Sequence, residues 1–205
     1  MHTGEVDPTA YGKALTEAEQ GISSHDCDYN GIFSGASQEQ NPYYQFNVTA
    51  GRQGYLIPNP SFLTLLESRN DPRRAEYFNA GGTQLSATRL SADFTQPFVT
   101  YDENLLIWAE AAYRTGATSV AQQKLVLEQQ DVGVATTGGL TGQALLTEIL
   151  TQEYIAFFQT GVEAWRLYER TCAPNLTPTI DGGIIPARLY YDAGERQTNT
   201  QIPQP

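Results

Sequence analysis

The sequence predicts a mainly α-helical fold of paired helices and long loops, and three observations carry that expectation. Apolar residues recur at helical spacing through most of 101–169. Helix-start signals recur along the chain, a polar cap followed by proline at Asp7-Pro8 and Asn59-Pro60 and a capping box at Thr100–Glu103. Between them lie long runs of Gly, Asn, Asp and Ser with little of the alternation that marks strands.

The elements follow in order. Asp7-Pro8 reads as an N-cap and first helical residue, Ala10, Tyr11, Ala14, Leu15 and Ala18 follow at helical spacing, and Gly21 is the stop. From Ile22 to Asn59 the pattern dissolves into a loop, with one strand expected at Tyr44–Val48. Asn59-Pro60 opens a short helix through Phe62, Leu63, Leu65 and Leu66, which ends before Asn70-Asp71-Pro72 because a residue preceding proline is pushed out of helical geometry. Gly81–Val99 is expected to form a hairpin.

Thr100-Tyr101-Asp102-Glu103 is a capping box, Tyr101, Leu105, Trp108, Ala109, Ala112 and Tyr113 share one helical face, and Gly116 ends the helix. Thr118–Gln130 is its antiparallel partner. After a Gly-rich link comes a helix from about Gln143 to Thr160, apolar over so wide an arc that it must pack on several sides. Gly161 breaks it, Val162–Glu169 resumes, and the chain beyond Pro174 reads as irregular.

With 205 residues the chain can build one core or one lobe of something larger. Its net charge is -11 and its only lysines are Lys13 and Lys124, so nucleic acid and anionic membrane surfaces are poor partners. His2 and His25 are the only histidines, which removes most histidine-based triads. Cys27 and Cys172 could pair in an oxidising compartment, but unpaired, partly buried thiols are the favoured reading. No apolar run reaches the length of a membrane span, and Met1–Glu5 has neither signal-peptide character nor a lipid-acceptor cysteine.

Several anchors stand in a recognisable order. They are Asn70-Asp71-Pro72-Arg73 with Tyr77-Phe78, then the run Tyr101–Gly116, then Ile149-Leu150-Thr151-Gln152-Glu153. Gly161–Thr171 follows, with Ile185–Tyr191 and Glu195 last. Together, from about residue 40 to the end, they resemble the carboxy-terminal half of SusD/RagB-type lipoproteins.

That resemblance implies a SusD-like helical fold with tetratricopeptide-like helix pairs as scaffold and long loops as the site. Residues 1–58 would be a helix plus loop region and 59–205 the helical scaffold. It also implies an outer-membrane, surface-exposed protein of Bacteroidota. Such a protein captures oligosaccharide, or a peptide, for a SusC-type TonB-dependent transporter. Family members are more than twice as long and lipid-anchored, so the chain is expected to be a fragment without its amino-terminal half and anchor.

Each candidate site residue also has a plainer role open to it. Glu153 and Glu163 flank Gly161 and could form a glycosidase pair. Pairing with Arg166 or Arg170 is favoured, since a buried carboxylate needs a partner. Trp108 and Trp165 lie on apolar faces and belong to the core. Tyr43, Tyr44, Phe46 and Tyr55 sit in a polar loop among Asn and Gln, where flat rings with polar neighbours suit carbohydrate; packing of the loop on its own core is the open alternative.

Asp26, Asp28, Asn30 and the Ile32 carbonyl match the first half of a calcium loop around Gly31, but Ser37 stands where the bidentate Glu belongs, and a plain turn stays open. No other cofactor is expected. Asn47-Val48-Thr49 fits the glycosylation triplet without meaning in a bacterial chain. The leading expectation is a binding protein without catalysis. A helical interaction scaffold and a carboxylate glycosidase stand as alternatives.

Overall fold

The computed structural model describes residues 7, 9–49, 51–176, 178, 183, 185, 191–199 and 201. Among them run nine α-helices and two short strands, so the mainly α expectation holds.

Helix α1 spans Thr9–Glu19, opened by Asp7, whose carboxylate accepts from the Thr9 N–H and hydroxyl at 3.0 and 2.6 Å. Its end is held from a distance. Asn104 donates to the carbonyls of Ala18 and Ile22, each at 3.0 Å. A Cβ on Gly21 would stand 2.5 Å from the Asn104 oxygen, so this position is glycine because another helix closes on it.

The loop that follows departs from expectation. A short 3-10 turn, His25–Cys27, leads into β1 (Tyr29–Gly31). The segment expected as a strand is instead α2, Pro42–Asn47: Asn41 accepts from the Tyr43 N–H at 2.8 Å and Pro42 takes the first helical position. The 81–99 hairpin is also absent. β2 (Gln96–Val99) pairs antiparallel with β1, and the earlier part of that segment contributes only a bridge from Leu85 to Phe78.

Helix α3 (Pro60–Ser68) is capped by Asn59, and a short α4 (Arg73–Tyr77) follows. Thr100 caps α5 (Tyr101–Arg114) by accepting from the Glu103 N–H at 3.2 Å. A left-handed Gly116 (φ +85°) turns the chain into α6, Thr118–Asp131. Helix α7 covers Gly142–Ala156 and stops short of Thr160, because Phe157–Gln159 form a turn with Gln159 at φ +69°. Helix α8 is Gly161–Thr171; α9, Ala193–Thr198, lies in the tail expected to be irregular. Residues 186–190 of the last sequence anchor fall outside the described residues.

Helix α7 is the centre. Its Leu145 and Ile149 join Leu106, Ala109, Ala112, Ala121 and Leu125 of the α5–α6 pair. Its Ile155 joins Phe62, Leu66, Tyr77 and Phe78. Its Leu146 and Leu150 meet Leu167 of α8. Contact on three sides is why the helix is apolar over so wide an arc. Trp108 packs on the first cluster, with the Lys124 ammonium 3.2 Å from its ring centroid. Cys27 and Cys172 are unpaired and both exposed; the expected partial burial fails because each ends a helical turn at the surface.

Two buried arginines cross the helix layers. Arg73 grips both oxygens of Asp71 at 2.9 and 2.7 Å, reaches Glu128 of α6 at 3.2 Å, and donates to Gln152 of α7. Gln152 passes the chain of bonds to Glu148, which also meets Arg69 and Gln129. Arg170 of α8 donates to Glu110 of α5 and lies 3.7 Å from Glu153 of α7. Arg73→Leu would leave Asp71 and Glu128 uncompensated in the interior. We expect a loss of about 3–5 kcal/mol in urea unfolding.

Burial raises Glu128 and Glu153 to about 8, Glu110 adding to the effect at Glu153 and Arg73 and Arg170 opposing it at their own partners. The folded chain therefore holds protons that the unfolded chain releases near the ordinary 4.5. The corresponding stability is fully present below the unfolded value and is lost as pH rises through about 8. Calorimetry is expected to show a lower melting temperature at alkaline pH, with the slope reduced in Glu153→Gln.

Candidate functional site

The turn that ends α7 builds a groove. Phe157-Phe158-Gln159 leave the helix together, and Phe158 stacks on Tyr77 and Phe62 with centroids 4.3 and 5.5 Å away. Tyr154 meets Phe62 edge-on at 5.7 Å. Phe62, Tyr154 and Phe158, with Phe78 and Leu85, floor a groove of about 290 Å³, walled by Tyr43 and by Leu56–Asn59. That size is at the low end for ligand pockets. The lip is apolar and open, with Tyr55 71% and Ile57 76% exposed.

The polar furniture is sparse and oriented. The Tyr43 hydroxyl donates to the Gln159 carbonyl at 3.1 Å, which pins α2 to the α7 turn. Arg89 lies over Tyr77, 4.4 Å from its centroid, and donates to Glu76 at 2.6 Å and to the Gln159 side-chain oxygen. Because Arg89 can only donate, it fixes which end of the amide is oxygen. The other end, Gln159 Nε2, is buried and has no partner among the described residues. An unmet donor beside stacked aromatic faces is chemically suited to a ligand with ring hydroxyls or carbonyls.

The four aromatic residues singled out in the sequence divide. Tyr43 lines the groove, and burial raises its hydroxyl above its ordinary value. Tyr55 is exposed directly beside the lining segment. Tyr44 is half-buried on α2, and Phe46 is exposed with the Arg52 guanidinium 5.0 Å from its centroid; neither lines the groove. Sequence reading missed Phe62, Tyr154, Phe158 and Gln159. The available signal was an aromatic pair and a polar residue directly before a Gly break.

The calcium set is differently engaged. Asp28 gives one oxygen to the Tyr101 N–H at 2.7 Å and the other to His25 at 3.0 Å. Asn30 lies in β1 with its amide donating to the Asp28 carbonyl at 3.3 Å, while Asp26 and Ile32 are exposed.

A family model, SusD-like and described as starch-binding associating with outer membrane, matches residues 81–192. The chain belongs to the SusD-like family. Its fold is shared with a solved chitin-binding protein at a TM-score of 0.72 and 20% sequence identity. The match covers 98% of this chain and 56% of that one, so the SusD-like chain spans little more than half the length of that relative. A comparison with curated proteins finds no match. Among the described residues no helix is long and apolar enough to cross a membrane.

In this SusD-like chain the two carboxylates that could form a glycosidase pair, Glu153 and Glu163, are separated by environment. Both line a cavity of about 450 Å³ with Glu103, Arg166 and Arg170. Glu153 is buried and paired with Arg170, whereas Glu163 is exposed. Pairing of Glu153 with Arg170 agrees with the plainer sequence reading. Burial and the Glu163 charge raise Glu103 to about 7.

Groove floor and lip separate in stability measurements. Phe78→Ala removes a ring that is 3% exposed and is expected to cost about 3–5 kcal/mol. Tyr55→Ala at the open lip is expected to stay within about 0.5 kcal/mol of the parent.

Proposed function

We propose that this chain captures a neutral oligosaccharide in the groove between α2, the 56–59 segment and the α7 turn. The observation that carries the reading is Gln159, whose buried Nε2 has no partner among the described residues, lining one groove with the rings of Phe62, Phe158 and Tyr43. A sugar ring presents an apolar C–H face to an aromatic ring and hydroxyls to an amide, and this groove offers both. Exposed Tyr55 supplies a further ring at the lip, where a longer glycan would run.

Membership of a family described as starch-binding and outer-membrane-associated supports this reading, as does the shared fold with a chitin-binding protein. On it, the protein works at the cell surface, binds without covalent chemistry, and passes its ligand to a SusC-type TonB-dependent transporter. The net charge of -11 is compatible with a neutral glycan and unfavourable for a polyanionic one.

Isothermal titration of the complete protein with chito- and malto-oligosaccharides, and with neutral peptides, tests the proposal. Gln159→Ala is expected to weaken glycan binding about 3–10-fold through one lost hydrogen bond, and Tyr55→Ala by a similar factor through lost stacking. Absence of binding to any glycan, or glycan binding that ignores both substitutions, would count against the groove. Peptide binding lost in the same variants would keep the site and change its ligand.

A further inference from the structure

We propose that His25, Asp102 and Asp131 form a site for a divalent transition-metal ion of the zinc class, joining the 25–27 turn to the α5–α6 pair. Three separate segments bring these residues together: the 3-10 turn, the first turn of α5 and the last residue of α6. One ligand atom from each lies within 4.8 Å of the others. His25 Nε2 touches the Asp131 carboxylate and stands 4.0 Å from Asp102 Oδ1. Two donors on one tetrahedral zinc ion lie about 3.4 Å apart, so modest side-chain rotation closes the set.

The second ring nitrogen gives the site its direction. His25 Nδ1 is 3.0 Å from Asp28 Oδ2, and Asp28 is itself fixed by the Tyr101 N–H at 2.7 Å. The Tyr101 ring meets the imidazole edge-on, centroids 5.5 Å apart. A carboxylate behind a histidine places the proton on Nδ1 and turns the Nε2 lone pair forward, the arrangement found behind metal-bound histidines. Here Nε2 faces two carboxylates, a contact that requires positive charge between them, supplied either by a proton on Nε2 or by a metal ion that takes its place.

Charge points the same way. Among the described residues no arginine or lysine pairs with Asp28, Asp102 or Asp131. Arg73 and Arg89 line the same cavity but are held by Asp71 and Glu128 and by Glu76 and Gln159. Among the described residues none donates a hydrogen bond to the buried Asp102 Oδ1. The cavity in front of the three residues, about 360 Å³, has room for water to complete the coordination. One imidazole nitrogen with two carboxylates suits a borderline ion; calcium takes six to eight oxygens.

The test uses the complete protein, freed of metal by chelation and dialysis, titrated calorimetrically with Zn²⁺ and followed with Co²⁺ by visible absorption. One ion bound per chain is expected, with a Co²⁺ spectrum that disappears in His25→Gln and in Asp131→Asn. Asp131 is partly exposed, so its variant retains the fold, and circular dichroism verifies this for both. Asp28→Asn is expected to weaken binding about 10–100-fold by releasing the imidazole. Cys27→Ser should change nothing. Metal uptake equal in the parent and both ligand variants, uptake lost only in Cys27→Ser, or preference for Ca²⁺ over Zn²⁺ would each overturn the assignment. So would no uptake at all, which would leave an imidazolium held by carboxylates.

Discussion

A guanidinium taken out of water survives only where carboxylates meet it, and the helix packing depends on two such meetings. Arg73 gathers Asp71, Glu128 and Gln152, which fixes α4 against α6 and α7. Arg170 gathers Glu110 and Glu153, which fixes α8 against α5 and α7. Apolar contact drives burial but is tolerant of register. A bidentate arginine with buried partners is not, because every misalignment strands a charge. The clamps therefore set how α7 sits among its neighbours, while Leu145, Leu146, Ile149 and Leu150 supply the area.

These clamps also hold more carboxylate than they neutralise. Glu110, Glu128 and Glu153 each keep one buried oxygen without a hydrogen-bond partner among the described residues. Protonation of Glu128 and Glu153 relieves the excess, which is why burial moves both so far upward. A strongly shifted carboxyl beside a cavity invites a catalytic reading. Here the same shift follows from packing several acids around few arginines, so it carries no argument for an acid catalyst.

Local signals in the sequence were legible where the structure solves a local problem. Asp7, Asn59 and Thr100 are caps because a helix start needs an acceptor for its free N–H groups, and that need is met within three residues. Asn41-Pro42 carries the same signal and opens α2, where the residues Tyr44–Val48 alone suggest a strand. The β1–β2 pairing was not legible, since each strand is short and its partner is remote in sequence. The Arg170–Glu153 contact could be anticipated from charge, but the third member, Glu110, could not, because nothing in an α5 glutamate reveals that it faces inward.

The candidate groove was half legible for the same reason. Tyr43 and Tyr55 stand out as aromatics in a polar loop, whereas Phe158 and Gln159 looked like the end of a helix. What converts them is the positive φ at Gln159, which ends α7 early and swings the pair toward Tyr77 and Arg89. The strain of a non-glycine residue there is sustained by bonds on both sides, Tyr43 to its carbonyl and Arg89 to its side chain. One helix thus serves two purposes along its length. Arg73 and Arg170 clamp it at Gln152 and Glu153, and that fixity holds the turn beyond it, where Gln159 keeps an amide donor unmet among the described residues, at a defined place beside Phe158.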